Sequence, residues 1–96
     1  MVLVECGTLS GDHEWAFYCP GCKQYHSFVT ERVSSGGPEW SWNGDTEKPT
    51  FWPSLLVNGS NEKRCHSWVR DGRIEYLADC WHDMRGKTVG MAESTR

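Results

Sequence analysis

The sequence predicts a single, mostly β domain of antiparallel hairpins with little or no helix. Ninety-six residues leave room for one hydrophobic core. Ten glycines and four prolines interrupt the chain every few residues, and no segment shows a convincing helical period. Short segments rich in β-forming residues and bounded by turn residues recur instead. We expect the domain to span residues 1–90 and residues 91–96 to form a frayed tail.

Each predicted strand follows from such a segment. The early ones are VLVEC, EWAFYC and HSFVTERV, at residues 2–6, 14–19 and 26–33. The later signals are a hairpin turn at Asn43-Gly44, a buried strand in SLLV at residues 54–57, and a short strand near residues 88–89. The strongest hairpin is RCHSWVRDGRIEYLAD, at residues 64–79, because Asp71-Gly72 is a favoured two-residue loop.

The register of this hairpin predicts which side chains share a face. With Asp71-Gly72 as the loop, the two strands pair outwards from Arg70 and Arg73. Because side chains alternate along a strand, the apolar residues define an inner face that carries Cys65, Ser67, Val69, Ile74, Tyr76, Ala78 and Cys80. The outer face carries His66, Trp68, Arg70, Arg73, Glu75 and Leu77.

Four of the five cysteines have the spacing of a metal site. The tight turn of Cys19-Pro-Gly-Cys22 aims two thiolates at one point, and two more cysteines lie on the inner face of the late hairpin. An odd number of cysteines suits a closed disulfide framework poorly, and Cys6 stands alone. We therefore predict a zinc site that staples the early strands to the late hairpin, with the ligands Cys19, Cys22, Cys65 and Cys80.

Histidines and aspartates crowd around these cysteines. His82, or His66 from the other face, could replace one of the two hairpin cysteines as a ligand. A zinc with an open position would activate a water molecule, and a base or proton shuttle would then be needed. The candidate catalytic residues are His66, Asp79 and His82. We expect Ser54 and Ser67 to be bystanders rather than oxyanion donors.

Composition and charge narrow the classes of function. The net charge of −3 and the scattered lysines and arginines disfavour a nucleic-acid partner. No apolar run approaches the roughly 20 residues of a membrane span, and the first residues lack the basic region of a signal peptide. We therefore expect a cytoplasmic protein with reduced thiols. Six tryptophans either fill the core or form a surface for a ligand or partner.

Three long motifs occur in order over about residues 15–90: FYCPGCKQYH, WSWNGDTEKPTFWPSLLV and CHSWVRDGRIEYLADCWHDMRGKTV. The chain resembles, in these motifs, a small family of bacterial and bacteriophage proteins. The family is catalogued as a domain of unknown function, and its members are often mislabelled as ammonia monooxygenases. The resemblance implies a compact zinc-binding β domain. It marks the residues Cys19, Cys22, His26, Cys65, His66, Asp79, Cys80 and His82.

Two functional hypotheses follow. Relatives in this family occur beside bacterial ubiquitin-like conjugation genes, so the resemblance implies a deconjugating peptidase whose partner is a protein or a ubiquitin-like tail. In this hypothesis a zinc-bound water attacks a peptide, isopeptide or ester bond, and His66 or His82, oriented by Asp79, moves protons. The alternative is a protein-interaction module with a closed structural zinc. The extra histidines favour the first hypothesis, and the inner-face cysteines favour the second.

Overall fold

The computed structural model describes residues 2–8, 11–33, 37–58 and 62–92. Within these ranges there is no helix, and nine strands form three small antiparallel sheets, which confirms the predicted mostly β class. The strands are β1 (Val4–Cys6), β2 (His13–Cys19), β3 (Gln24–Glu31), β4 (Ser41–Trp42), β5 (Phe51–Trp52), β6 (Leu55–Val57), β7 (Cys65–Arg70), β8 (Arg73–Tyr76) and β9 (Thr88–Gly90). Most of the predicted tail, residues 93–96, lies outside the described residues.

The N-terminal sheet has the strand order β1-β2-β3. The turn between β2 and β3 contains the Cys19–Cys22 motif, and it is closed by a hydrogen bond from the Lys23 amide to the Cys19 carbonyl at 2.8 Å. Lys23 has a φ of 58°. The Cys22 amide points back at the Cys19 sulfur at 3.4 Å. The turn therefore holds both thiols at one end of this sheet.

The β4–β5 ribbon differs from the expected tight turn at Asn43-Gly44. Residues 43–50 form a longer loop between the strands, and only Gly44 of the pair has a positive φ. The side-chain oxygen Oδ1 of Asn43 accepts hydrogen bonds from the backbone amides of Asp45 and Thr50. Asn and Asp side chains that satisfy nearby amides in this way stabilise an open loop in place of a two-residue turn.

The C-terminal sheet has the strand order β6-β7-β8-β9. The predicted register of β7 and β8 is confirmed, with Ser67 opposite Tyr76 and an Asp71-Gly72 turn whose φ angles are both positive. The inner-face residues of β7 and β8 are buried, as predicted.

The same hairpin ends earlier than expected. β8 stops at Tyr76, and the chain turns when the Leu77 carbonyl accepts a hydrogen bond from the Cys80 amide at 3.1 Å. Ala78 is exposed, so its prediction as an inner-face residue is wrong. The Leu77 amide still makes the next ladder hydrogen bond, to the His66 carbonyl at 2.9 Å. Beyond it the regular pairing ends, because the Arg64 carbonyl, which would face Asp79 in an unbroken ladder, is bound by the Trp81 amide instead.

An aromatic stack joins the sheets. Phe28 of the N-terminal sheet lies parallel to Phe51 of the ribbon, with ring centroids 4.0 Å apart, and Phe17 stacks on Phe28. None of the six tryptophans is fully buried: Trp15, Trp40 and Trp42 pack against this core, and Trp52 and Trp81 are exposed. The described chain contains no helix that is long and apolar enough to cross a membrane.

Candidate functional site

A thiol cluster forms where three segments of the chain meet. Three segments converge at one end of the core. They are the Cys19–Cys22 turn between β2 and β3, called the knuckle below, the start of β7, and the turn after β8. The five cysteines are all free thiols. One ligand atom from each of four residues lies within 4.8 Å of the other three, and the four are Cys19, Cys22, Cys65 and His82. This set is compatible with a metal ion, because soft thiolates and an imidazole suit transition metals.

His82 belongs to this group of four, and Cys80 lies directly beside it. His82 Nε2 lies 3.5 Å from the Cys65 sulfur, 3.9 Å from the Cys19 sulfur and 3.2 Å from the Cys80 sulfur. Sulfur and nitrogen ligands of a tetrahedral zinc, at about 2.3 and 2.0 Å from the metal, are about 3.5 Å apart. The imidazole therefore lies at ligand distance from these sulfurs, and the Cys80 thiol is its nearest neighbour outside the group of four.

The position of His82 depends on a glycine. The imidazole ring occupies the space where a side chain on Gly21 would begin, so any larger residue would collide with it. The edge of the ring also packs against Tyr76, with ring centroids 4.8 Å apart. The glycine of the Cys-Pro-Gly-Cys turn therefore allows the ring to lie directly against the knuckle.

Cys19 is the most acidic thiol of the cluster. The hydrogen bond from the Cys65 thiol lowers the pKa of Cys19 far below its usual range, against the effect of burial, and His26 and Tyr76 lower it further. The same hydrogen bond to Cys19 raises the pKa of Cys65. Burial, followed by the hydrogen bond to Cys19, raises the pKa of Tyr76, whose hydroxyl lies 3.0 Å from the sulfur. The hydrogen bonds of the cluster therefore favour the thiolate form of Cys19.

A second cluster lies on the outer face of the C-terminal sheet. The Ser54 hydroxyl lies 3.0 Å from His66 Nε2, and His66 Nδ1 lies 3.3 and 3.2 Å from the two oxygens of Asp79. Ser54 directly precedes β6, His66 lies in β7 and Asp79 lies in the turn after β8. A hydroxyl, an imidazole and a carboxylate in this order form the nucleophile, base and orienting group of a serine hydrolase.

In this triad of Ser54, His66 and Asp79, the Asp79 carboxylate is partly exposed but is fixed by contacts with His66 and Arg64. The side chain of Asp79 is 43% exposed, and that of His66 is 25% exposed. Desolvation would raise the pKa of Asp79, but the hydrogen bond and charge of His66 outweigh it, with a contribution from Arg64, so the pKa is lowered. Arg64 lies 3.6 Å from the same carboxylate. Asp79 is therefore ionised at neutral pH and fixes the Nδ1 side of the imidazole.

Ser54 is held by a tryptophan from the ribbon. The indole Nε1 of Trp40 donates a hydrogen bond to the Ser54 carbonyl at 3.4 Å. The Trp40 amide binds the Val29 carbonyl at 2.9 Å, and its ring packs edge-on against Phe28. The segment that carries the hydroxyl is thus tied to the aromatic core.

The two clusters share two pairs of adjacent residues. Cys65 and His66 follow each other in β7, and because side chains alternate, the thiol points to the core and the imidazole to the outer face. Asp79 and Cys80 repeat the arrangement in the turn after β8, with an exposed carboxylate and a buried thiol. The crowding of thiols and imidazoles in the sequence reflects two sites on opposite faces.

The structure separates the predicted catalytic residues into two groups. It brings His66 and Asp79 together, whereas His82 is buried and its hydrogen bonds join it to the thiol cluster. The sequence analysis considered Ser54 only as an oxyanion donor or a bystander, and it did not predict the contact with His66. Its signal, a serine at the start of SLLV, becomes meaningful only when β6 is paired with β7, so that Leu56 lies opposite His66.

A cavity of about 430 Å³ borders the thiol cluster rather than the triad. It is lined by Pro20, Gly21, Cys22, Lys23, Trp81, His82, Asp83 and Met84. The triad lies instead on the open face of the sheet.

Comparison with known proteins identifies a family for most of the chain. The model of a protein family described as bacterial ubiquitination-like system serine protease (BubE) matches residues 3–77. No curated protein and no solved structure gives a significant match. The matched region contains Ser54 and His66 and stops two residues before Asp79. Because it covers most of the chain, the protein belongs to the family of bacterial ubiquitination-like system serine proteases.

Proposed function

We propose that this protein is a serine peptidase that acts on protein conjugates of a bacterial ubiquitin-like system. The observation that carries the proposal is the continuous hydrogen-bonded chain from Ser54 through His66 to Asp79. The description of the family supports the same chemistry. The bond attacked is a peptide, isopeptide or ester bond, since all three present a carbonyl carbon to the nucleophile.

Each residue of the triad has one role in this proposal. The Ser54 oxygen attacks the carbonyl carbon while His66 Nε2 accepts the hydroxyl proton. Asp79 keeps the other proton of the imidazole on Nδ1 and stabilises the imidazolium. His66 then gives its proton to the leaving amine or alcohol, and an acyl-serine remains. Water, deprotonated by His66, hydrolyses that ester and restores Ser54.

We further propose that the thiol cluster binds zinc as a structural metal. The ligands would be Cys19, Cys22 and Cys65 with His82 in the fourth place, and the competing arrangement gives that place to Cys80. When bound, the zinc supplies folding energy by joining the knuckle to the C-terminal sheet. It takes no part in the reaction, because Ser54 replaces a metal-bound water as the nucleophile. Free thiols and a zinc site suit a reducing compartment, so we place the protein in the cytoplasm.

The test is covalent labelling with a small fluorophosphonate, followed by peptide mass spectrometry. A serine activated by a neighbouring base reacts with this reagent, so we expect one modified residue, Ser54. Labelling is lost in Ser54→Ala and kept in the matched control Ser27→Ala, which alters a serine of β3. If the intact, zinc-loaded protein is not labelled at Ser54, the serine peptidase proposal fails. A protein-interaction module with a structural zinc would then remain.

A further inference from the structure

We infer that the substrate is held as an extended peptide that adds an antiparallel strand to the free edge of β6. The inference rests on the proposed peptidase function and specifies how the substrate reaches the same triad. Its starting point is that Ser54, in contact with His66 on the outer face of the sheet, lies one residue before the edge strand β6.

β6 is a short edge strand that is not blocked by charge or proline. In the described part of the chain, the only strand paired with it is β7. The Ser54 carbonyl, just before β6, accepts a hydrogen bond from the Trp40 indole and keeps a second lone pair for a partner. The sequence of β6, Leu-Leu-Val, contains no charged residue and no proline, the features that keep edge strands from pairing with other chains. Leu56, in the middle of β6, is 51% exposed. Such an edge suits a partner that supplies a backbone of its own.

The edge leads directly to the nucleophile. β6 begins one residue after Ser54, and the serine side chain reaches the same face as His66. A strand paired with β6 lies about 4.8 Å away and passes beside Ser54 at its end. Trp52 and Leu56, two residues to either side of Ser54, are 49% and 51% exposed and provide apolar contacts. The occupant is therefore an extended peptide with small or apolar side chains.

The direction of pairing identifies which part of the substrate is recognised. An antiparallel partner runs opposite to β6, so it passes Val57 and Leu56 before it arrives at Ser54. The residues that precede the attacked carbonyl then pair with β6, and the leaving group lies beyond the end of the strand. The site would therefore bind about three residues that precede the attacked carbonyl. It would accept an amine or alcohol of any size as the leaving group.

Peptidyl diphenyl phosphonates test this inference. In these probes the Ser54 oxygen bonds to phosphorus, a phenoxide leaves, and the serine proton ends on the released phenol. We expect the labelling rate of the wild-type protein to rise at least about tenfold as up to three alanines are added before the phosphorus. N-methylation of single backbone amides should slow labelling at alternate positions only, because alternate amides of a strand point to the same neighbour.

The outcomes separate the inference from the proposed function. If the small fluorophosphonate fails to label Ser54, both are overturned. The small reagent could instead label Ser54 while the rate of phosphonate labelling does not depend on peptide length, or falls equally for N-methylation at every position. Strand addition is then wrong, and the peptidase proposal is unaffected. A matched pair of variants gives a second check. Leu56→Arg should slow the longest probe at least about fivefold, whereas Thr88→Arg, on the opposite edge of the sheet, should not.

Discussion

The thiol cluster and the serine triad are built from neighbouring residues but have opposite environments. Cys65 is 1% exposed, whereas the side chain of the next residue, His66, is 25% exposed. Cys80 is 3% exposed beside Asp79, whose side chain is 43% exposed. The buried member of each pair can hold the fold together, and the exposed member can meet a substrate. One strand and one turn can therefore contribute to the structure with their buried residues and to a reaction with their exposed residues.

The same arrangement would couple the two sites if the thiol cluster binds a metal as proposed. Cys65 and Cys80 are buried next to the two positions from which His66 and Asp79 project. A shift of the knuckle end of the core would therefore misplace the base relative to the carboxylate. Serine hydrolysis is sensitive to such shifts, since a displacement of about 1 Å can lower the rate roughly a hundredfold. The following predictions test whether the two faces can be separated.

The largest expected contrast is between His66→Ala and Cys65→Ser. Loss of the proposed general base should lower kcat/KM for an ester substrate, and the second-order rate constant of phosphonate labelling, by about a thousandfold or more, with little change in Tm. Cys65→Ser should lower Tm by more than about 10 °C, because it removes a proposed zinc ligand from the core. Thermal unfolding and labelling rates, measured on both variants, check the contrast.

His13→Ala is the matched control for the histidine variant. His13 is an exposed histidine of β2 that lies 3.7 Å from Glu31, and its removal should change neither quantity. Equal losses of Tm in His66→Ala and Cys65→Ser would contradict the division of labour between the two faces.

The second prediction concerns the metal. Zinc-edge absorption spectra of the protein purified without chelators should fit three sulfurs and one nitrogen, and a strong chelator should lower Tm. His82 Nδ1 accepts a hydrogen bond from the Met84 amide at 3.2 Å. Zinc held through Nε2 would require the imidazole proton on Nδ1, and this contact would then be lost. A spectrum with four sulfurs would assign the fourth place to Cys80 instead.

Local rules were sufficient to predict the late hairpin. Strict alternation and the Asp71-Gly72 turn fix which side chains of β7 and β8 share a face, and they place Cys65 inside and His66 outside. The knuckle is equally local, since four consecutive residues define it. These features could be predicted because each depends on neighbours in sequence and on the two-residue period of a strand.

Ser54, the proposed nucleophile, could not be predicted in the same way. Ser54 becomes part of the site through the pairing of β6 with β7, through the turn that follows β8, and through the contact with Trp40. These are contacts between segments more than ten residues apart, and no turn signal sets their register. Ala78 shows the same limit, because the regular pairing ends in a turn after Leu77, where the Trp81 amide binds the Arg64 carbonyl in place of Asp79.

A smaller effect is expected for Asp79→Asn. The amide cannot accept the Nδ1 proton as strongly as the carboxylate does, so the imidazole loses its orientation and the stabilisation of its cation. Because Asp79 is partly exposed, we expect a loss in kcat/KM of about 10- to 1,000-fold, below the roughly 10⁴-fold effect known for a buried triad carboxylate. KM should change little. Asp83→Asn, an exposed aspartate in the turn after β8, is the control, and a loss of equal size there would show that the effect is not specific to the triad.

The smallest predicted effect is that of Trp40→Phe. Phenylalanine keeps a ring against Phe28 but removes the indole Nε1 hydrogen bond to the Ser54 carbonyl. Tm should fall by only a few degrees, since a single neutral hydrogen bond contributes about 1 kcal/mol. The rate of labelling at Ser54 should fall by about three- to tenfold, because the serine segment is less firmly held. If Tm falls and the labelling rate of the folded protein does not, Trp40 supports the core and has no part in positioning the nucleophile.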